Sequence, residues 1–311
     1  TYAVVTLNML FERFQGGLPE ITARIRGKKV YDPRSGQTRY SRNPALCLAD
    51  FIRSEAGYLA AADQIDEAAL IGAANACDDE VYTNVDAENH GNSKLRYVCD
   101  GVFRSDQDRE TTRQQLEESM AGFSLETGGV WRIQAGAWAS PVLNLTDVDM
   151  LSPTTVVQTA NLGSDRLNGM RGTYVNAARN GVSEDFRPYQ NATLRAQDEK
   201  DRFGDMALAF TGSHLRCHQL ARVAVEQSRG GLVLRIHPKM LAWHLQPGDR
   251  IVLSSVLYGF VNKTFRVQDW SYQRNAPLTL LVIEDVPTFY DLVDEVMADP
   301  APNTNLPSPF I

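Results

Sequence analysis

His214, Cys217 and His218 stand at i, i+3 and i+4, a spacing at which one helix could offer two imidazoles and a thiolate to a zinc ion. The glutamate of an HExxH signature is missing and no distant ligand pair completes the set, so polar residues on a helix surface are the simpler expectation. Two groups of carboxylates suggest a different chemistry. Asp147 and Asp149 in TDVDM, or Asp78-Asp79-Glu80, could divide the acid and base roles of a hydrolysis. Carboxylates at loop and helix ends more often cap backbone N–H groups. No GxSxG elbow, GxGxxG or GxxxxGK[ST] phosphate loop, or Cys/His pair in a recognisable context occurs. The residues supply no catalytic group, no metal site and no cofactor site.

The elements that would position such groups are legible in part. Ile21, Ala23 and Ile25 alternate with Thr22, Arg24 and Arg26, the period of a half-buried strand. Asp32-Pro33-Arg34-Ser35-Gly36 has the chemistry of a turn, and Thr38-Arg39-Tyr40 reads as the returning strand of a hairpin. Asn43-Pro44 predicts a helix N-cap and first helical residue, ahead of Ala45, Leu48, Phe51 and Ile52 on one face. Further helices are predicted over 66–77 and 108–121, and Gly128-Gly129 between two β-rich runs predicts a hairpin. Short strands follow at 142–146, 154–159, 170–175, 232–237, 251–255, 264–269 and 278–284, with a helix at 213–227. The expected fold is α+β and multi-domain, with antiparallel and mixed sheets, a few packing helices and a β-rich C-terminal half forming a small barrel or sandwich.

The chain of 311 residues has a net charge of -7 and no apolar run near the roughly 18 residues that a membrane helix needs. That charge argues against general nucleic-acid binding, but its distribution is uneven. Residues 23–42 carry seven basic side chains against Asp32, whereas 63–108 carry eleven acids against Lys94, Arg96 and Arg104. Either these are two solvated faces, or the basic hairpin of one subunit meets the acidic region of the next in a head-to-tail ring. A nucleic-acid site on the hairpin is weaker, because aromatics are sparse around it. Four scattered cysteines, Cys47, Cys77, Cys99 and Cys217, read as reduced and mostly buried, although a Cys77–Cys99 disulfide stays open. The first residue is not Met and lies within an apolar run, and the last thirteen hold Pro300, Pro302, Pro307 and Pro309. The expectation is a piece of a longer protein whose end is linker.

GLPEITARIRGKKVYDPRSGQTRYSRNPALCLADFI, residues 17–52, resembles the central region of the tip attachment protein J family, the tail-hub proteins of lambda-like phages and prophages. The resemblance continues through WRIQAG at 131–136, 143–153, NGMRGTY at 168–174, LQPGD at 245–249 with KTFRV at 263–267, and DPAPNT at 299–304, so it covers nearly the whole chain. It implies a phage tail-hub-like fold in which 1–16 end a preceding strand or domain and 17–141 form an α+β hub domain. Residues 142–298 would form a β-rich hub domain with one helix at 213–227, and 299–311 a Pro-rich linker. It also implies a structural, non-enzymatic role: a homotrimer assembled in the host cytoplasm and placed at the distal tail tip of the virion. Its partners would be copies of itself, other tail-tip and tail-tube proteins, DNA passing without sequence recognition, and a host receptor met through a C-terminal part. Lys28, Lys29, Arg34 and Arg39 are the expected intersubunit contact residues. The contrasting expectation is a tail-associated cell-wall hydrolase or peptidase built on Asp147 and Asp149 or on His214, Cys217 and His218.

Overall fold

Asp32-Pro33-Arg34-Ser35-Gly36 joins β1 (Lys29–Asp32) to β2 (Gln37–Tyr40), with Gly36 at a φ of 67° that its missing Cβ allows. The structure, a computed structural model, describes residues 25–83, 92–104, 106–152, 155–158, 166–176, 181–274 and 276–291. Of the strand expected over 21–26, residues 21–24 lie outside the described residues, whereas Ile25 and Arg26 belong to no strand and Ile25 is exposed, because the ladder begins only at Lys29. The acids Asp86 and Glu88 and the Pro-rich tract also lie outside the described residues. Asn43 caps α1 (Pro44–Arg53) as its position demands, its side-chain oxygen accepting from the N–H groups of Ala45 (3.1 Å) and Leu46 (3.4 Å). Its amide donates to the Ala74 carbonyl at 2.8 Å, which fastens α1 to α2 (Glu67–Asp78). Leu70, Ala73, Ala74 and Cys77 form the buried face of α2, as their spacing requires. A short hairpin, β3 (Glu80–Thr83) with β4 (Asn92–Leu95), follows, then α3 (Arg109–Glu118). Gly128 and Gly129, both at positive φ, close the hairpin of β5 (Phe123–Thr127) and β6 (Val130–Gln134).

The second half departs from expectation in its closure. β7 (Leu143–Thr146) and β8 (Thr155–Gln158) are consecutive in the chain but go to opposite edges of one six-stranded sheet. Between them lie, in order, β13 (Arg250–Ser255), β14 (Phe260–Ser271), β15 (Thr279–Glu284) and β12 (Val233–Ile236). No ladder joins β7 to β8 among the described residues, so the sheet is open and the expected small barrel is not closed. A second sheet holds β10 (Val182–Gln190), β9 (Gly169–Asn176) and β11 (Phe203–Leu208), with β11 parallel to β9. α5 (His214–Arg229) packs on this sheet, and a further short helix, α4 (Ala192–Asp198), precedes β11. The fold is α+β with mixed sheets, as expected. The four cysteines are free thiols, so Cys77 and Cys99 are not bridged.

Two hydrophobic clusters result. Leu46, Leu70, Leu116 and Ile133 of the helical half share one with Met170, Phe186, Phe210 and Leu220. The six-stranded sheet builds the other from Leu145, Leu234, Ile251, Phe265 and Leu280. Asp198 clamps the entrance of the three-stranded sheet: it takes the Arg229 guanidinium and accepts from the Asn168 amide at 2.9 Å. The Arg229 hydrogen bond is the main reason its carboxyl is pulled down to about 2. A depressed carboxyl stabilises the fold above its unfolded pKa and loses that contribution as pH falls through the folded value. Urea unfolding of the wild type should therefore show stability falling from about pH 4 towards pH 2. Asp198→Asn should flatten that slope, and an unchanged slope would remove the clamp from the account.

Candidate assembly interface

The residues with chemical potential are placed as structural members. His214 and His218 lie one turn apart on α5 with ring centroids 4.7 Å apart. The ring of His218 meets those of Phe186 (6.2 Å) and Tyr189 (6.4 Å). Cys217 is buried, its thiol donating to the Ser213 carbonyl at 3.2 Å, and burial pushes its pKa up to about 12. Among the described residues, no group of three or more His, Cys, Asp or Glu side chains is arranged to hold a metal ion. Asp149 accepts from the Thr146 N–H (2.9 Å) and hydroxyl (2.7 Å), capping its own turn. Asp147 accepts from the Ser255 hydroxyl and, at 2.8 Å, from the Val256 N–H, and these bonds hold its carboxyl below the usual range. Asp78 pairs with Arg34 at 2.8 Å and Asp79 with Arg96 at 3.4 Å. Each of these four carboxylates is thus engaged in a cap or an ion pair.

Much of the basic hairpin's charge is met inside the chain. Arg34 grips Asp32 with two hydrogen bonds (3.0 and 2.9 Å) and reaches Asn75 (3.1 Å) as well as Asp78, so it docks the hairpin onto α2. Lys28 pairs with Asp50 at 2.7 Å, and Arg39 approaches Asp32 at 3.6 Å. Sequence separation hides these pairings, which turn an unbalanced charge run into a locally compensated one. Lys29 differs: it is exposed and has no ion pair among the described residues. Cross-strand register sets Lys29 opposite Tyr40 and Tyr31 opposite Thr38, so the exposed Tyr31 and Tyr40 share its face.

A second surface is apolar and has no charge pattern to announce it in the sequence. The turn between β13 and β14 carries Val256 (94% exposed), Leu257 (71%) and, at the start of β14, Val261 (83%). Asp147 fixes this tip through Val256, and beside it stands Val148 (74%). Lys239 continues the surface, donating from its Nζ to the Val148 carbonyl (2.6 Å) and from its N–H to the Asp149 carbonyl (2.8 Å). Next come the exposed Met240 and Leu241, then Trp243, whose ring meets Trp270 (5.2 Å) and Tyr272 (5.1 Å). The result is an apolar rim along one side of the six-stranded sheet, held in place by hydrogen bonds yet packed into neither hydrophobic cluster at its exposed aliphatic positions. Single exposed apolar residues are ordinary, but several on neighbouring segments tied together by these hydrogen bonds make a candidate interaction surface.

No protein-family model and no curated protein matches the sequence. Among solved structures, a chain of the virion of a native gene transfer agent particle aligns with a TM-score of 0.51 at 16% identity, over 63% of this chain and 43% of that one. Over that aligned part the two share a fold. A tail protein from Neisseria meningitidis MC58 gives a TM-score of 0.44 at 13% identity, over 64% of this chain and 61% of that chain. The 43 kDa tail protein of prophage MuSo2 from Shewanella oneidensis gives 0.43 at 10% identity, over 85% and 70%. These two weaker likenesses add nothing to the fold assignment. The chain spans less than half of the virion protein and about three fifths of the Neisseria protein.

Proposed function

We propose that this chain is a structural protein of a phage or prophage tail, a hub subunit of the tip attachment type. In this reading three copies close the distal end of the tail tube, support host attachment and leave a passage for DNA. The subunit acts by shape and mutual fit, without turnover. The observation that carries the proposal is the exposed apolar set from Val148 through Val256 and Leu257 to Trp243, a surface of the kind that assembly covers. The fold shared with a virion protein supports it independently.

The proposal places Lys28, Lys29 and Arg39 near an intersubunit contact. Arg34 belongs to the same hairpin, but its guanidinium serves Asp32, Asp78 and Asn75, so its effect on assembly would be indirect. Sedimentation of the protein carrying Val256→Asp and Leu257→Asp tests the reading. The wild type should associate, and the double variant should stay folded while association weakens by about 2–4 kcal/mol, the scale of an interface hot spot. Lys29→Glu should weaken it in a salt-dependent way by about 1 kcal/mol or less. A wild-type protein that is monomeric at high concentration, or that hydrolyses peptidoglycan reproducibly, would overturn the proposal.

A further inference from the structure

The outer face of the six-stranded sheet holds an open cavity of about 480 Å³ whose walls come from the adjacent strands β12, β15 and β14. Alternation explains the first two walls. In β12 Leu234 and Ile236 are buried in the core, which leaves Arg235 on the outer face. In β15 Leu280 and Val282 are buried, which leaves Thr279 and Leu281 beside it. His237, one residue past β12, stands opposite Thr279. Its Nδ1 shares a hydrogen bond of 3.1 Å with the Thr279 hydroxyl.

The third wall needs a departure from alternation. Val267 of β14 is buried in the core, and a regular strand would turn Asp269 the same way. Instead the register shifts between them: Val267 pairs with Val282 but Asp269 with Leu281, so Gln268 is an extra residue. This bulge re-aims Asp269 and Ser271 to the outer face, beside Leu281 and Thr279. The Asp269 carboxylate accepts from the Trp270 N–H at 2.8 Å, which fixes its position. Arg235 and Asp269 thus flank Leu281 from its two sides, yet neither forms an ion pair among the described residues.

We propose that this cavity is a saccharide-binding site, an affinity that goes beyond the assembly reading and that assembly does not require. One guanidinium and one carboxylate cancel in formal charge. An anion such as phosphate would meet Asp269, and a cation would meet Arg235. A neutral ring with neighbouring hydroxyls satisfies both, because a hydroxyl accepts from the guanidinium and donates to the carboxylate. The Ser271 and Thr279 hydroxyls and the His237 ring add donors and acceptors along one edge. Leu281 supplies an apolar floor for the C–H face of the ring, and the volume is that of a small-ligand site. The backbones of β12 and β14 stand about 10 Å apart, two strand spacings, which leaves room for a sugar ring with its hydroxyls.

The test is calorimetric titration of the folded full chain with neutral probes: glucose, galactose, mannose, N-acetylglucosamine and their disaccharides. Inorganic phosphate and glycine serve as the anionic and zwitterionic probes. The expected result is binding of at least one neutral saccharide with an affinity that added salt leaves unchanged. Arg235→Ala and Asp269→Ala should each weaken it by about tenfold or more. Both side chains are exposed, so the variants should keep the circular dichroism of the wild type and associate as it does. Failure here would therefore leave the assembly reading standing. Binding of none of the saccharides, tighter binding of phosphate or glycine, or saccharide binding that survives both substitutions would overturn the proposal.

Discussion

Asp285→Asn should lower the folding stability by about 3–5 kcal/mol, read as a shift of the urea midpoint at neutral pH with the slope unchanged. Asp285 and Arg250 form the most enclosed ion pair among the described residues, 2.8 Å long with side chains only 3% and 5% exposed. The Tyr290 hydroxyl donates to the same carboxylate at 3.2 Å. The guanidinium lies over the rings of Trp138 (5.0 Å) and Tyr290 (5.3 Å) and gives one further hydrogen bond, to the Ala137 carbonyl at 3.0 Å. An amide in place of the carboxylate would keep the shape and remove the counter-charge, leaving a cation in a dry site whose other partners are a carbonyl and two rings. The pair fastens β13 to the segment after β15, so the loss should be felt across the six-stranded sheet. Replacing both members, Arg250→Met with Asp285→Leu, should recover most of it, because the cost lies in the unpaired charge. A single-variant loss below about 1 kcal/mol would mean that water reaches the site and screens it.

What could be read from the sequence was local. The Asp-Pro-Arg-Ser-Gly turn, the Asn43-Pro44 cap and the Gly128-Gly129 hairpin each depend on neighbours a few residues away, and each stands where its chemistry put it. The face of α2 follows from apolar spacing for the same reason, whereas α5 also buries Cys217 and His218, expected on a helix surface, because the three-stranded sheet packs over them. The failures are nonlocal. β7 and β8 are neighbours in the chain, yet pairing with β13 and β12 sends them to opposite edges, and no local pattern announces that. α4 has no buried residue, so it has no apolar stripe to detect. The basic run of the hairpin looked unsatisfied because Asp50 and Asp78, which take up part of it, lie 22 and 44 positions from Lys28 and Arg34. The two hydrophobic clusters also interleave along the chain: Met170 to Val225 contribute to the cluster of α1–α3, while Leu145 before them and Leu234 after them belong to the other. Of the candidate surfaces, the hairpin was visible as charge. The rim was not, because Val256 and Leu257 carry the same letters that fill a core; only their exposure distinguishes them.

Gly172→Ala should destabilise by about 3 kcal/mol or more and detach β11 from its sheet. Gly172 sits in the central strand β9, paired with Met206 of β11 on one side and Phe186 of β10 on the other. A Cβ at this position would lie 1.7 Å from the Met206 carbonyl oxygen, 2.8 Å from its carbonyl carbon and 3.0 Å from its nitrogen. These are main-chain atoms, so no rotamer change relieves the clash and the ladder itself must open. The damage should spread inward, because Met170 and Tyr174 of the same strand are buried in the cluster that α5 completes. Hydrogen exchange should show the Phe203–Leu208 amides losing protection before those of the six-stranded sheet. Gly128→Ala is the matched control: its φ is also positive, but an added Cβ meets nothing within 4 Å, so only backbone strain of about 1 kcal/mol is expected. Equal losses for the two variants would show that β11 can move away from β9 at no cost, and that the close strand contact contributes nothing to holding α5 in place.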